Sequence, residues 1–597
     1  MKDSQGNLKH QPEDMANILQ GQYSSVFSDP ESPDIDSSAS HVEANDESSV
    51  TDIEITQELM IEAMNELDPK SSAPDGDIPA KILKSCRQAL SQPLVILWQS
   101  SLDKGIIPDQ LKRQYIAPIF KKGAKTDPAN YRPVSLTSHV IKIFERVIRK
   151  QLVSFLETNN LISNKQHGFR KGRSCLTQLL GHFDNILQNH AKDIETDVIY
   201  LDYAKAFDKV DHAILLKKLS LYGVKGKLLE WLKQFLEHRT QVVVVDGEQS
   251  VPAPVISGVP QGTVLGPILF IMYLNDLENV LTEARSSSFA DDTRMSQAIS
   301  CVADTESLQT DLNSVIQWSI QNNMLVHEDK FELLCYHAKP SKLLRELPFA
   351  DEYCQYQTPG GYTMLPKEIV KDLGVHLSAD LSWSPHIAKM VASARHVAAW
   401  VLGVFRDRSK ETMIPLYKSL IRCTLEYCCP VWDPTSIADI QLIEDVQRYF
   451  TDKISCCKDL NYWERLKLLK LQSLQRRRER YSIIHMWKLL NNIVPNDLNI
   501  VFRDRERQGI RAMIPPLQRG ARQAAQTHLD NAFSIRAARL WNAIPPGVTR
   551  ITDLEAFKTQ LSVFLNSFPD NPPTSGYSAP NNNSLLAWTQ AGDGGLR

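Results

Sequence analysis

A pair of adjacent aspartates, in the stretch SSSFADDTRMS at residues 286–296, limits what this chain can build more than any other feature in it. Neighbouring carboxylates repel, and burying both without a cation shifts the proton equilibrium until one is neutral. A polar turn between strands accounts for such a pair, because Asp tolerates turn geometry and Ser and Thr flank it here. A hard divalent cation accounts for it as well, since Mg2+ binds through a few carboxylate oxygens together with water and phosphate.

The choice between these depends on the residues upstream. In TDVIYLDYAKAFDKVDHAILLKKL, residues 196–219, the run Val198 to Leu201 reads as a buried strand with Asp202 at its C-terminal end. Asp211 suits the N-cap of a following helix whose apolar face is Ile214, Leu215 and Leu219. An amphipathic helix, KLLEWLKQFLEHR, precedes TQVVVVDGEQSVP, whose Asp246 and Gly247 suit a two-residue hairpin turn. Next, ISGVPQGTVLGPILFIMYLNDL has glycines at 258, 262 and 266, which predict an extended loop, and Pro267 starts an apolar helix to about Leu277. Gly-rich loops opening helices bring backbone N–H groups close to phosphates, although most such loops are only turns.

With 597 residues, 42% apolar and 23% charged, the chain has ample material for a globular enzyme. The net charge of −3 makes no general attraction for a polyanion, so a nucleic-acid surface requires uneven charge. The distribution is uneven. Residues 1–50 are acidic and poor in aromatics, which predicts a disordered leader, whereas LKRQYIAPIFKKGAK (111–125) and RLKLLKLQSLQRRRER (465–480) are basic. The Pro/Asn/Ser stretch near the C-terminus predicts a disordered tail at 566–597. Ten cysteines without zinc spacing read as reduced thiols in an intracellular protein. The N-terminus is too polar for a signal peptide, and the longest uninterrupted apolar run, ILFIMYL, is too short to cross a bilayer, so no membrane partner is expected.

The ordered series of strand-end Asp, glycine loop with Gln, and Asp-Asp hairpin resembles motifs A, B and C of the reverse transcriptase palm. YLDYAKAFD is similar to motif A, GVPQGTVLGP to motif B and FADD to motif C. YIAPIFKKGAKTDPANYRPVSLTS resembles the fingers segment, KQHGFRKGRSC the segment after it, and KDLGVHLSADLSW motif E. The flavour is that of non-LTR retrotransposons, jockey-like or CR1-like, and LEYCCPVWDP and FSIRAARLWNAIPP resemble later regions of the same elements.

The resemblance implies an α+β right-hand polymerase: fingers and an antiparallel palm sheet backed by helices over 51–390, a helical thumb over 391–460 and a basic helical region over 461–565. It implies RNA-directed DNA synthesis from a DNA primer on template RNA, with deoxynucleoside triphosphates as substrates and two Mg2+ ions as cofactor, Mn2+ serving as substitute. Two ions about 3.5–4 Å apart stabilise the attacking and leaving oxygens of such a displacement. Asp202 and Asp291 are the implied metal ligands, with Asp292 in support because neighbours on a strand point to opposite faces. Phe207, five residues after Asp202, stands where the sugar 2′ position is met; it reads otherwise as a core aromatic. Gln261 and Gly262 border the nucleotide, and Arg132 with Lys121 or Lys122 grips the triphosphate, although the lysines also suit a solvated loop.

Lys330, in NNMLVHEDKFELLCY, matches the motif D lysine that protonates pyrophosphate, while His327 and Phe331 depart from the residues usual there. Arg476, Arg477 and Arg478 are expected to present a cationic helix face to RNA. An apurinic-type endonuclease domain is not expected within this chain, and the family's lifestyle implies a nuclear setting. The alternative reading is a degenerate or domesticated element that binds RNA without turnover; an RNA-templated RNA polymerase is disfavoured by Phe207. Oligomeric state has no mark in the sequence.

Overall fold

The computed structural model describes residues 1–27, 48–336, 356–514, 529–574 and 583–587. Its strands include β1 (Arg113–Phe120), β2 (Tyr131–Leu136), β3 (Glu195–Leu201), β4 (Arg239–Val245), β5 (Glu248–Gln249), β6 (Ala253–Val255), β7 (Arg285–Phe289), β8 (Asp292–Ile299) and β9 (Glu332–Tyr336). Its helices include α1 (Pro12–Ser24), α2 (His139–Thr158), α3 (Cys175–His190), α4 (Gly266–Leu274), α5 (Ser384–Val404) and α6 (Leu474–Leu490). One sheet has the order β2-β1-β4-β5, with β6 also on β4, and its β1–β4 pair is parallel. A second, four-stranded sheet has the order β7-β8-β3-β9 and is antiparallel throughout, and three two-stranded sheets lie elsewhere among the described residues. The chain is thus a mixed α+β protein.

The second sheet is covered on both faces, which explains why β3 carries an unbroken apolar run. Ile199 and Leu201 enter one hydrophobic core and Val198 enters another, and on β9 Leu333 and Cys335 alternate in the same way with Leu334 and Tyr336. Alternation with period two sends neighbouring side chains to opposite faces, and here neither face needs to be polar. The strand therefore stays buried until it reaches the polar Asp202.

Local chemistry fixes the elements around it. Asp246 and Gly247 form a two-residue turn between β4 and β5, both with positive φ (49° and 90°), the geometry that suits the twist of a hairpin. Helix α4 carries Pro267 in its first turn and is buried from Ile268 to Leu274. The amides just before it are satisfied from a distance: Val264 N and Leu265 N donate to Glu145 Oε2 on α2, at 2.6 and 3.0 Å. Glu145 is fully buried, and that burial raises its pKa despite the two bonds and nearby Arg239.

Two sequence expectations change, and a third, on membrane spans, meets a new helix. Within the expected leader, residues 12–24 form α1, whose Ala16, Leu19 and Tyr23 pack on Ile116 and Val243 of the first sheet; residues 28–47 lie outside the described part. Within the expected tail, Leu585 is fully buried and its N–H donates to Glu479 Oε1 at 2.8 Å. Finally, α5 is long and apolar enough to cross a bilayer by length and composition, although Ile387, Ala394, Ala398 and Val401 on it are buried in the second core. That core draws continuously on residues from both the 391–460 and 461–565 stretches. The described cysteines form no disulfide.

Candidate active site

Strand register gathers the acidic residues. Leu201 on β3 faces Thr293 on β8, so Asp202 and Asp292, one residue beyond each, lie at the same sheet end. Phe289 pairs with Asp292, which leaves Ala290 and Asp291 as the two-residue turn of the β7–β8 hairpin. All three aspartates line one open cavity of about 590 Å³, together with Lys121, Arg132, Phe207, Gln261 and Lys330. The main chain fixes the strand end as well, for His327 N donates to Asp202 O at 2.9 Å. Lys330 Nζ lies 3.3 Å from Asp202 Oδ2, an ion pair half open to solvent and therefore weak.

The charges in this cavity oppose one another. Burial raises the pKa of Asp291, Arg132 and Lys121 pull it down, and Asp202 pushes it up. The pKa of Asp292 is raised by burial, then by Asp291 and Asp202. Across the cavity, burial together with Arg132 and Lys122 lowers the pKa of Lys121. Among the described residues no three Asp, Glu, His or Cys side chains close around one point. The donor set is instead a few carboxylates facing an open space beside cations, which fits a hard divalent ion that completes its shell with water and phosphate oxygens.

One wall of the cavity joins the Asp202 segment to the glycine loop. Phe207 stacks on Phe270 of α4 with ring centroids 4.1 Å apart and meets Phe169 edge-on, so it is at once a packed aromatic and part of the cavity lining. Gln261 Nε2 donates to Asp208 Oδ1 at 3.0 Å, and Gln261 O accepts from Ser135 N of β2 at 2.7 Å. Gly262 has φ +113°, and a Cβ there would lie 2.5 Å from Ser135 O. Its role is close backbone approach to β2, since it does not line the cavity; Lys122 does not line it either.

Residues 119–377 match the family described as "Reverse transcriptase (RNA-dependent DNA polymerase)". The chain carries a reverse transcriptase domain. It is 27% identical over 364 residues to the "Probable RNA-directed DNA polymerase from transposon X-element" of Drosophila melanogaster, covering 59% of this chain and 38% of that one. It is 29% identical over 381 residues to the "RNA-directed DNA polymerase from mobile element jockey" of the same fly, covering 62% and 40%. The jockey protein of Drosophila funebris is 26% identical over 413 residues, covering 67% and 44%. The chain spans about two fifths of the length of these curated relatives. The likeness to jockey-type non-LTR elements, read from the motifs, is present in these matches.

Beyond the reverse transcriptase domain, the basic helix needs correction. Arg476 and Arg478 on α6 are buried, and Arg477 is largely so. Arg476 donates to the carbonyls of Leu565, Pro569 and Asn583, and Arg478 Nε donates to Asp433 Oδ1 at 2.6 Å. Arg477 grips Glu426 with both Nε and Nη2. All three guanidiniums lie inside the fold, Arg477 and Arg478 against carboxylates and Arg476 against main-chain carbonyls, so they do not form the cationic face expected for RNA. Replacing Arg478 with Met should therefore cost about 3 kcal/mol of stability, the usual penalty for breaking a buried ion pair. The salt dependence of RNA binding should stay unchanged; a slope reduced by about one would restore the RNA-contact reading.

Sequence reasoning also passed over Asp208, although it stands within YLDYAKAFD beside Phe207. Burial raises its pKa to about 6, against the opposing pull of the Gln261 bond and of Lys205. The sign follows from linkage: the folded protein resists ionising this group, so the penalty is absent below about pH 4 and grows as pH rises through about 6. An Asp208→Asn variant should melt at the wild-type temperature at pH 4 and above it at pH 7.5, as checked by thermal unfolding at both values. Further along the cavity stand Tyr23 of α1, Gln114 of β1 and Gln241 of β4, each buried with a side-chain polar atom lacking a partner.

Proposed function

We propose that this chain is the RNA-directed DNA polymerase of a non-LTR retrotransposon, extending a DNA primer on an RNA template by two-metal nucleotidyl transfer. The observation that carries this reading is the convergence of Asp202, Asp291 and Asp292 on one open cavity faced by Lys121 and Arg132. Asp202 and Asp291 would hold magnesium, which when bound supplies charge stabilisation to the attacking and leaving oxygens.

The protein's own groups do the rest. Arg132 and Lys121 bind the triphosphate oxygens, the guanidinium through its planar fork. The primer 3′ hydroxyl gives up its proton to water, its oxygen bonds to the α phosphorus, and the bond from that phosphorus to the bridging oxygen breaks to release pyrophosphate. Lys330 gives a proton to the departing pyrophosphate. Phe207 fills the space beside the sugar 2′ carbon, and the Asp208–Gln261 bond fixes the loop that borders the base pair.

The test is primer extension on poly(rA)/oligo(dT) with Mg2+ and dTTP. Wild-type protein should add nucleotides processively enough to resolve single steps, and faster with dTTP than with UTP. Absence of extension by folded protein would reject the reading.

A further inference from the structure

We propose that Gln166 is a positioning residue for Asp291, holding the metal-ligating turn through the backbone of Ala290; this rests on the reading of Asp291 as a metal ligand. The turn is under-supported by its own hairpin. Ala290 has φ +57°, a region that side chains other than glycine visit rarely and at a cost of about 1 kcal/mol or more. Its N–H points outside the β7–β8 ladder. Gln166, itself buried, supplies the missing partner: its Oε1 accepts from Ala290 N at 2.9 Å and from Gly168 N at 2.8 Å, and its Nε2 donates to Ala290 O at 3.5 Å.

The segment that carries Gln166 is built for this contact. Ser288 N donates to Lys165 O at 3.0 Å and His167 N to Ser288 O at 2.8 Å, so residues 165–167 run as a parallel extension along β7. Gly168 then passes so close that a Cβ would lie 2.4 Å from Ala290 N. On its other side the segment is anchored to the C-terminal region. A Cβ on Gly172 would lie 2.6 Å from Ile493 O, and Arg173 Nη1 is 3.4 Å from Asp497 Oδ2. A metal-ligating carboxylate must sit within about 0.5 Å of its productive position, and residues supporting ligands govern affinity about 10- to 100-fold.

The test compares wild type, Gln166→Leu, Gln166→Glu and Gly168→Ala in the full chain. Mn2+ binding is followed by electron paramagnetic resonance, Mg2+ half-saturation by primer extension, and folding by thermal melting. Gln166→Leu removes every bond to the turn and should weaken Mn2+ binding and raise the Mg2+ requirement by about 10-fold, with the dTTP KM within about twofold. Gln166→Glu keeps both accepting bonds and should bind Mn2+ at least as tightly as wild type. Gly168→Ala displaces the turn directly and should follow Gln166→Leu; it carries the comparison should the leucine variant fail to fold. Wild-type metal binding in folded Gln166→Leu, or equal losses in the Leu and Glu variants in step with melting temperature, would overturn the proposal. Asp291→Asn is the separate control: if it binds Mn2+ as wild type does, the ligand reading itself fails and this inference with it.

Discussion

Asp202→Asn and Asp291→Asn are each expected to lower single-nucleotide addition on the order of 10³-fold, equivalent to about 4 kcal/mol of transition-state stabilisation. Asp292→Asn is expected to fall only about tenfold, because a supporting carboxylate contributes mainly through charge. The ordering follows from position. Asp202 ends β3, Asp291 occupies the turn, and Asp292 is already the first residue of β8, more exposed than Asp291. None of the three substitutions should lower the melting temperature, since amides remove a cluster of repelling charges whose pKa values at Asp291 and Asp292 are already raised. Single-turnover kinetics would check this, and equal effects at all three positions would contradict the assigned roles.

Phe207→Val is the second substitution with a large expected effect. The ring stacks on Phe270 and also lines the cavity, so shortening it opens space on the cavity side without removing an apolar neighbour from α4. Discrimination between dTTP and UTP, measured as the ratio of kcat/KM values, is expected to fall by on the order of 10²-fold. The lost packing should cost about 1–3 kcal/mol of stability, which separates the two roles of the ring. A variant that is destabilised yet keeps wild-type discrimination would show that Phe207 serves packing alone.

The readable part of this chain was the part whose signals are local. The run Val198–Leu201 is apolar because β3 is buried on both faces, and its first polar residue marks the sheet end where Asp202 stands. The Ala290–Asp291 turn and the Asp246–Gly247 turn are likewise written in adjacent residues. The basic stretch misled because charge in a sequence does not show its partners: Arg477 and Arg478 pair with Glu426 and Asp433, which lie 51 and 45 positions upstream. Helix α1 was hidden by averaging, since the acidic composition of residues 1–50 outweighs Ala16, Leu19 and Tyr23. Gln166 escaped notice because it acts on a backbone 124 positions away, a relation that no spacing encodes. Glu145 reaches the amides ahead of α4 in the same manner.

The polymerase reading requires that carboxylates from a strand end and a hairpin turn share a metal site. Anomalous diffraction from crystals grown with Mn2+, primer–template and a non-hydrolysable deoxynucleoside triphosphate measures this directly. Manganese peaks are expected within about 2.0–2.3 Å of carboxylate oxygens of both Asp202 and Asp291, with nucleotide phosphate oxygens in the same shells. Bound nucleotide with manganese held away from either residue would contradict that reading.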